Sequence, residues 1–87
     1  MRNPIIRDYN SLLAELVAER KRQGLSQIDM DTVAFIADGY TAKLEAGYKC
    51  FGPISLAAVL GALNVALVLV KLDEHGRPLI EGEEVAA

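Results

Sequence analysis

Residues 24–47 read GLSQIDMDTVAFIADGYTAKLEAG, and this stretch decides the fold. Ser26 can cap a helix that starts at Gln27, because a side-chain oxygen just before a helix satisfies one of its free amides. Ile28, Met30, Val33 and Ala34 supply that helix with apolar contacts, which predicts a short segment over about 27–34. Phe35, Ile36 and Ala37 then form a connection. A third short helix passes through Tyr40, Thr41, Lys43, Leu44 and Glu45, with Gly47 where a left-handed residue ends a helix. Asp38 stands in position to cap it.

The flanks extend this pair of helices. Upstream, Tyr9, Leu12, Leu13, Leu16 and Val17 recur at the spacing that places them on one helix face. Asp8 is available as N-cap and Gly24 as the stop, so a helix is predicted over about 9–23. Downstream, Pro53 fits a first helical turn, and Leu56, Val59, Leu60 and Leu63 form a second apolar stripe over 53–63. Asn64 tolerates the left-handed conformation that often closes a helix.

The period changes after Asn64. Val65, Ala66, Leu67, Val68, Leu69, Val70, Lys71 and Leu72 are rich in β-branched residues and are bounded by Asp73, Glu74, His75 and Gly76, which predicts a strand. Side chains of a strand alternate between two faces, so a run apolar on both faces needs cover on both. Its free edge would also expose backbone donors and acceptors. A second copy of the strand across a twofold axis answers both needs, with Val65, Leu67, Val68, Leu69, Val70 and Leu72 as the dimerisation residues. A hairpin within the chain, turning at His75 and Gly76 into Arg77, Pro78, Leu79 and Ile80, is the compatible alternative. The chain thus divides into a body over 1–64, a strand or hairpin element over 65–80, and an acidic tail over 81–87 expected to be mobile.

Composition bounds the function. With 87 residues, 52% of them apolar and 24% charged, the chain has the make-up of one small domain and is too short for a multidomain enzyme. So small a core is marginal, which favours association with another chain. The single cysteine, Cys50, can form neither an internal disulfide nor a cysteine-rich metal site, and it reads as a structural thiol. The opening residues lack the apolar run of a signal peptide, and the apolar stretch 65–70 is too short to span a bilayer, so a cytoplasmic protein without a membrane partner is expected. No paired carboxylates in an acid/base motif, phosphate loop or metal-ligand spacing is present, so neither an enzyme nor a cofactor is expected. His75 falls in a turn with no catalytic partner in its neighbourhood.

Charge is uneven along the chain. Residues 1–72 hold eight Lys/Arg against seven Asp/Glu, a net of +1, while residues 73–87 hold one Arg against five acids, a net of −4. In the body, Arg20, Lys21 and Arg22 form a basic cluster that complements the end of the first helix, and Lys43 and Lys49 stand alone.

Gly24, Leu25, Ser26 and Gln27, followed by Met30, Val33, Ile36, Tyr40, Leu44, Glu45 and Gly47, resemble the helix-turn-helix of the lambda-repressor-like (Cro/CI, XRE) family. The match is ungapped over 24–47, and the flanking helices carry it over about 9–64. Ala62, Leu63 and Asn64 are similar to the family's Ala-Leu-Gly at the same place. The order of elements, with a strand at the end, is similar to HipB-type antitoxins. The resemblance implies a mainly α domain of four or five helices with a C-terminal strand or hairpin, working as a dimeric repressor on double-stranded DNA. A toxin or other protein is the further partner that the antitoxin-like order implies.

Carried over by position, Gln27 would be a phosphate anchor. Asp38, Gly39 and Tyr40 would lie at the groove-facing start of the recognition helix, and Lys43 one turn on. Lys49, in the loop that follows, would help position a phosphate. Met30, Val33, Ile36 and Leu44 would be core. Two residues depart from the pattern: Asp31 stands where many members have Ala, and Phe35 where many have Gly. For Gln27 a plain solvated helix start stays open beside the phosphate role. Asp38 is open between N-cap and an acceptor for a cytosine amino group, and Tyr40 between packing and a groove contact. Low charge in the body keeps a second function in view, a protein-interaction module on the same fold with little or no DNA binding.

Overall fold

The computed structural model describes residues 5–79, and these form a mainly helical fold. Its elements are α1 (Tyr9–Arg22), α2 (Gln27–Val33), α3 (Tyr40–Ala46) and α4 (Pro53–Leu63). Local chemistry sets most of the boundaries. Asp8 caps α1 by accepting the Ser11 amide at 2.8 Å. Ser26 and Asp29 form a reciprocal capping box at the start of α2, each side chain accepting the other's backbone N–H. Pro53 opens α4, and Asn64 closes it in the left-handed region at φ 58°. Gly47 ends α3 in the same region at φ 88°, as its place in the sequence predicts.

The core gathers Leu16 of α1, Met30 of α2, Ala34, and Val59 and Leu63 of α4, with Leu12, Leu25, Ile36, Phe51 and Leu56 packed around them. Met30, Leu44 and Leu63 are each 2% exposed or less, and each contributes about 1.5–3 kcal/mol relative to an exposed position. The loop after α3 is tied back to α1: the Tyr9 hydroxyl accepts the Phe51 amide at 3.0 Å, and the two rings meet edge to face. Gln23, after α1, donates to the carbonyl of Leu63 at the far end of α4. These ties join α1 to the loop after α3 and to the end of α4.

Several expectations are corrected. Val33 is exposed, not core, because Met30 and Ala34 already occupy the inward face of α2 and Val33 falls beside it. Arg20, Lys21 and Arg22 do fall in the last turn of α1, but Arg20 is 7% exposed and faces inward. Asp38 does not cap α3, whose N-cap is Gly39 at φ 86°.

Among the described residues the strand expected over 65–72 is not formed. Residues 65–71 carry no regular secondary structure, and the described residues contain one isolated antiparallel bridge, between Leu72 and Pro78. The hairpin reading holds at its tip: Asp73 turns the chain by accepting the amides of His75 and Arg77, and the Leu79 amide donates to Lys71. A strand exists only through its ladder, and residues 77–79 reach no further than Lys71. Leu67, Val68, Leu69, Val70 and Leu72 are therefore exposed, with Val65 half-buried against the core cluster. The Arg7 guanidinium braces the turn through the Gly76 carbonyl. The acidic tail over 81–87 lies outside the described residues.

Candidate nucleic-acid interface

α2 and α3 are both seven residues long, too short to hold their shape alone in water. Two buried polar contacts fix them. The first is built around Glu45 of α3. Its carboxylate accepts from Arg20 Nε at 2.7 Å and from Nη2 at 2.9 Å, a two-pronged pair, and also from Gln27 Nε2 at 2.8 Å. Arg20 Nη1 donates to the Leu25 carbonyl at 2.7 Å. One cluster thus joins α1, the turn before α2, the first residue of α2 and the last turn of α3.

The second contact is made by Asp31, on α2 and 1% exposed. Its carboxylate accepts the Gly39 amide at 2.8 Å and the Thr41 amide at 2.9 Å. Those are N–H groups at the start of α3, and Gly39 has no side chain to satisfy them. A left-handed φ at Gly39 suits glycine and brings the two amides round to one acceptor. Burial pushes the Asp31 carboxyl up, but hydrogen bonding from Thr41 and from the Gly39 amide outweighs it and holds it below the ordinary value of 3.8. The Thr41 hydroxyl is buried without a hydrogen-bond partner among the described residues, so its amide carries the contact.

The residues singled out from the sequence fall as follows. Gln27 is half-buried and donates one amide N–H to Glu45, its second N–H making no hydrogen bond among the described residues. Asp38 is exposed and makes no side-chain hydrogen bond or ion pair among the described residues, because Asp31 does the capping. Gly39 and Tyr40 are half-buried at the start of α3. Lys43 is exposed on the last turn of α3, and its carbonyl accepts the amides of Tyr48 and Lys49, which folds the following loop back onto the helix. Lys49 Nζ consequently sits 5.5 Å from the centre of the Tyr40 ring. Asp38, Tyr40, Lys43 and Lys49 thus belong to α3 and its two flanking loops. Val65, Leu67, Val68, Leu69, Val70 and Leu72, expected from the sequence to join two copies, belong to the arm after α4.

Sequence reasoning missed the two clamps, Arg20 with Glu45 and Asp31 with the start of α3. One signal was present for Asp31: a carboxylate at a close-packed position between helices demands buried donors. It also missed an apolar surface. Phe35 is 95% exposed in the turn at φ 57°, and Ile28, Ile54 and Tyr48 are exposed as well. Beside Phe35, a shallow groove between the starts of α3 and α4 is lined by Ile36, Ala37, Tyr40, Pro53 and Ile54.

No protein-family model, curated protein or solved structure matches this chain. No described helix is long and apolar enough to cross a membrane.

Proposed function

We propose that this protein is a dimeric, sequence-specific DNA-binding regulator, a repressor of a small operon of phage or antitoxin type, built on a helix-turn-helix. The observation that carries this reading is the clamping of α3. Arg20, Gln27 and Glu45 hold it at one end and Asp31 at the other, while Asp38 and Lys43 stay exposed and Lys49 is drawn up to the Tyr40 ring. A short helix fixed on its inner face and free on its outer one suits entry into a major groove about 12 Å wide. Lys43, Lys49 and the second N–H of Gln27 would hold phosphates. Asp38 would accept from a cytosine amino group, the base donor a carboxylate reads in that groove. Two copies, joined through Val65, Leu67, Val68, Leu69, Val70 and Leu72, would present two α3 helices to half-sites about 34 Å apart.

The exposed Phe35, Ile28 and Ile54 favour a second reading, in which the same fold binds a protein partner. Selection from a random duplex library, followed by fluorescence anisotropy at two salt concentrations against a scrambled duplex, separates the two. A regulator prefers the selected duplex and loses affinity steeply with salt as counterions are released. Lys43→Ala should then reduce the salt slope by about 0.9. Equal, weak and salt-insensitive binding to both duplexes rejects DNA recognition and leaves the protein-binding reading.

A further inference from the structure

We propose that Asp31 is the positioning residue of α3: from inside α2 it supplies the cap that the sequence of α3 lacks, and so sets the angle at which Asp38, Tyr40 and Lys43 are presented. A helix usually brings its own N-cap side chain. Here the N-cap is Gly39, and two amides at the start of the helix, those of Gly39 and Thr41, find their acceptor on a residue eight to ten positions earlier, on the neighbouring helix. The start of α3 therefore cannot shift against α2 without stranding two N–H groups and a carboxylate in the interior, where unpaired polar groups are costly. The arrangement also frees Asp38 from capping, so the one carboxylate at the outer start of the helix stays available for contact. Clamping from Glu45 fixes only the last turn of α3, which leaves orientation of its first turn to Asp31.

The consequence for base discrimination rests on the DNA-binding reading; the placement of α3 does not. Asp31→Asn keeps the side-chain volume but offers one acceptor where two are used, and its two measurements are independent. Amide hydrogen exchange should accelerate at Gly39 and Thr41 with protection in α1 and α4 unchanged. Preference for the selected duplex over the scrambled one should fall about tenfold, with scrambled-duplex affinity and salt slope unaltered. A merely destabilising change would weaken both duplexes alike, and that outcome overturns the proposal, as does unchanged exchange at Gly39 and Thr41. Should the wild-type protein prefer no duplex, the DNA reading falls by itself and the exchange measurement decides the role of Asp31. If Asp31→Asn fails to fold by circular dichroism, Asp31→Ala, which strands no polar side chain, takes its place with the same expected and overturning results.

Discussion

Glu45→Gln isolates the charge of the inner clamp without changing its shape. The wild-type carboxylate answers a guanidinium whose side chain is 8% exposed, from a side chain itself 15% exposed. Removing one partner of a buried pair costs about 3–5 kcal/mol, because the other charge is left uncompensated. Two features of the structure reduce that figure: the remaining exposure admits some solvent, and Arg20 keeps its bond to the Leu25 carbonyl. A loss of about 2–3 kcal/mol is therefore expected. For a domain of this size it lowers Tm by roughly 10–20 °C, out of a total stability of about 4–13 kcal/mol. Urea and thermal unfolding followed by circular dichroism at pH 7 measure it directly. The double variant Arg20→Met with Glu45→Met should recover to within about 1 kcal/mol of wild type, because packed apolar groups replace a buried pair at little cost. A Glu45→Gln loss below about 1 kcal/mol, the range of surface pairs, would refute the buried clamp, and a double variant as unstable as the sum of the singles would refute the coupling.

Other outcomes follow from the same geometry. Phe35→Gly should stabilise the fold by about 0.5–1 kcal/mol, since relief of a left-handed φ exceeds the added chain entropy; a loss in urea unfolding would show that the exposed ring packs against the chain. Asp31 sits below its ordinary 3.8, so its contribution is complete above that value and is lost as pH falls through the lower folded value. Asp8, held down by the Ser11 amide, Glu19 by Gln23 and Arg22, and Asp29 by Ser26, act in the same direction. The urea midpoint should drop as pH falls below about 4, and Asp31→Asn should flatten that drop; a pH-independent midpoint would count against it. Leu69→Lys, at the most exposed apolar side chain of the arm, should shift a dimer towards monomer in sedimentation velocity while helicity stays unchanged. An unaltered dimer would place the contact elsewhere.

The helices were legible because their signals are local. Asp8, Ser26, Pro53, Gly47 and Asn64 act within a few residues of the boundary they set, and the apolar stripes of α1 and α4 repeat at the helical period. Lys43 and Asp38 were legible as exposed positions on or beside α3, while the Lys49 contact with Tyr40 depends on how the loop folds back. Asp38 illustrates the limit. Its position beside α3 suggests a cap by local rules, yet the capping is done from α2.

By itself the sequence determined a mainly helical chain with four helical segments and a turn between the second and third, because caps, glycines and periodic apolar residues act over short distances. Tertiary structure decided that Arg20 meets Glu45 across 25 residues, that Asp31 faces the start of α3, and that Val33 turns outward. It also left residues 65–71 without a ladder among the described residues. Each of these depends on which groups are brought together in space, since a buried charge or a strand edge is stable only beside its partner.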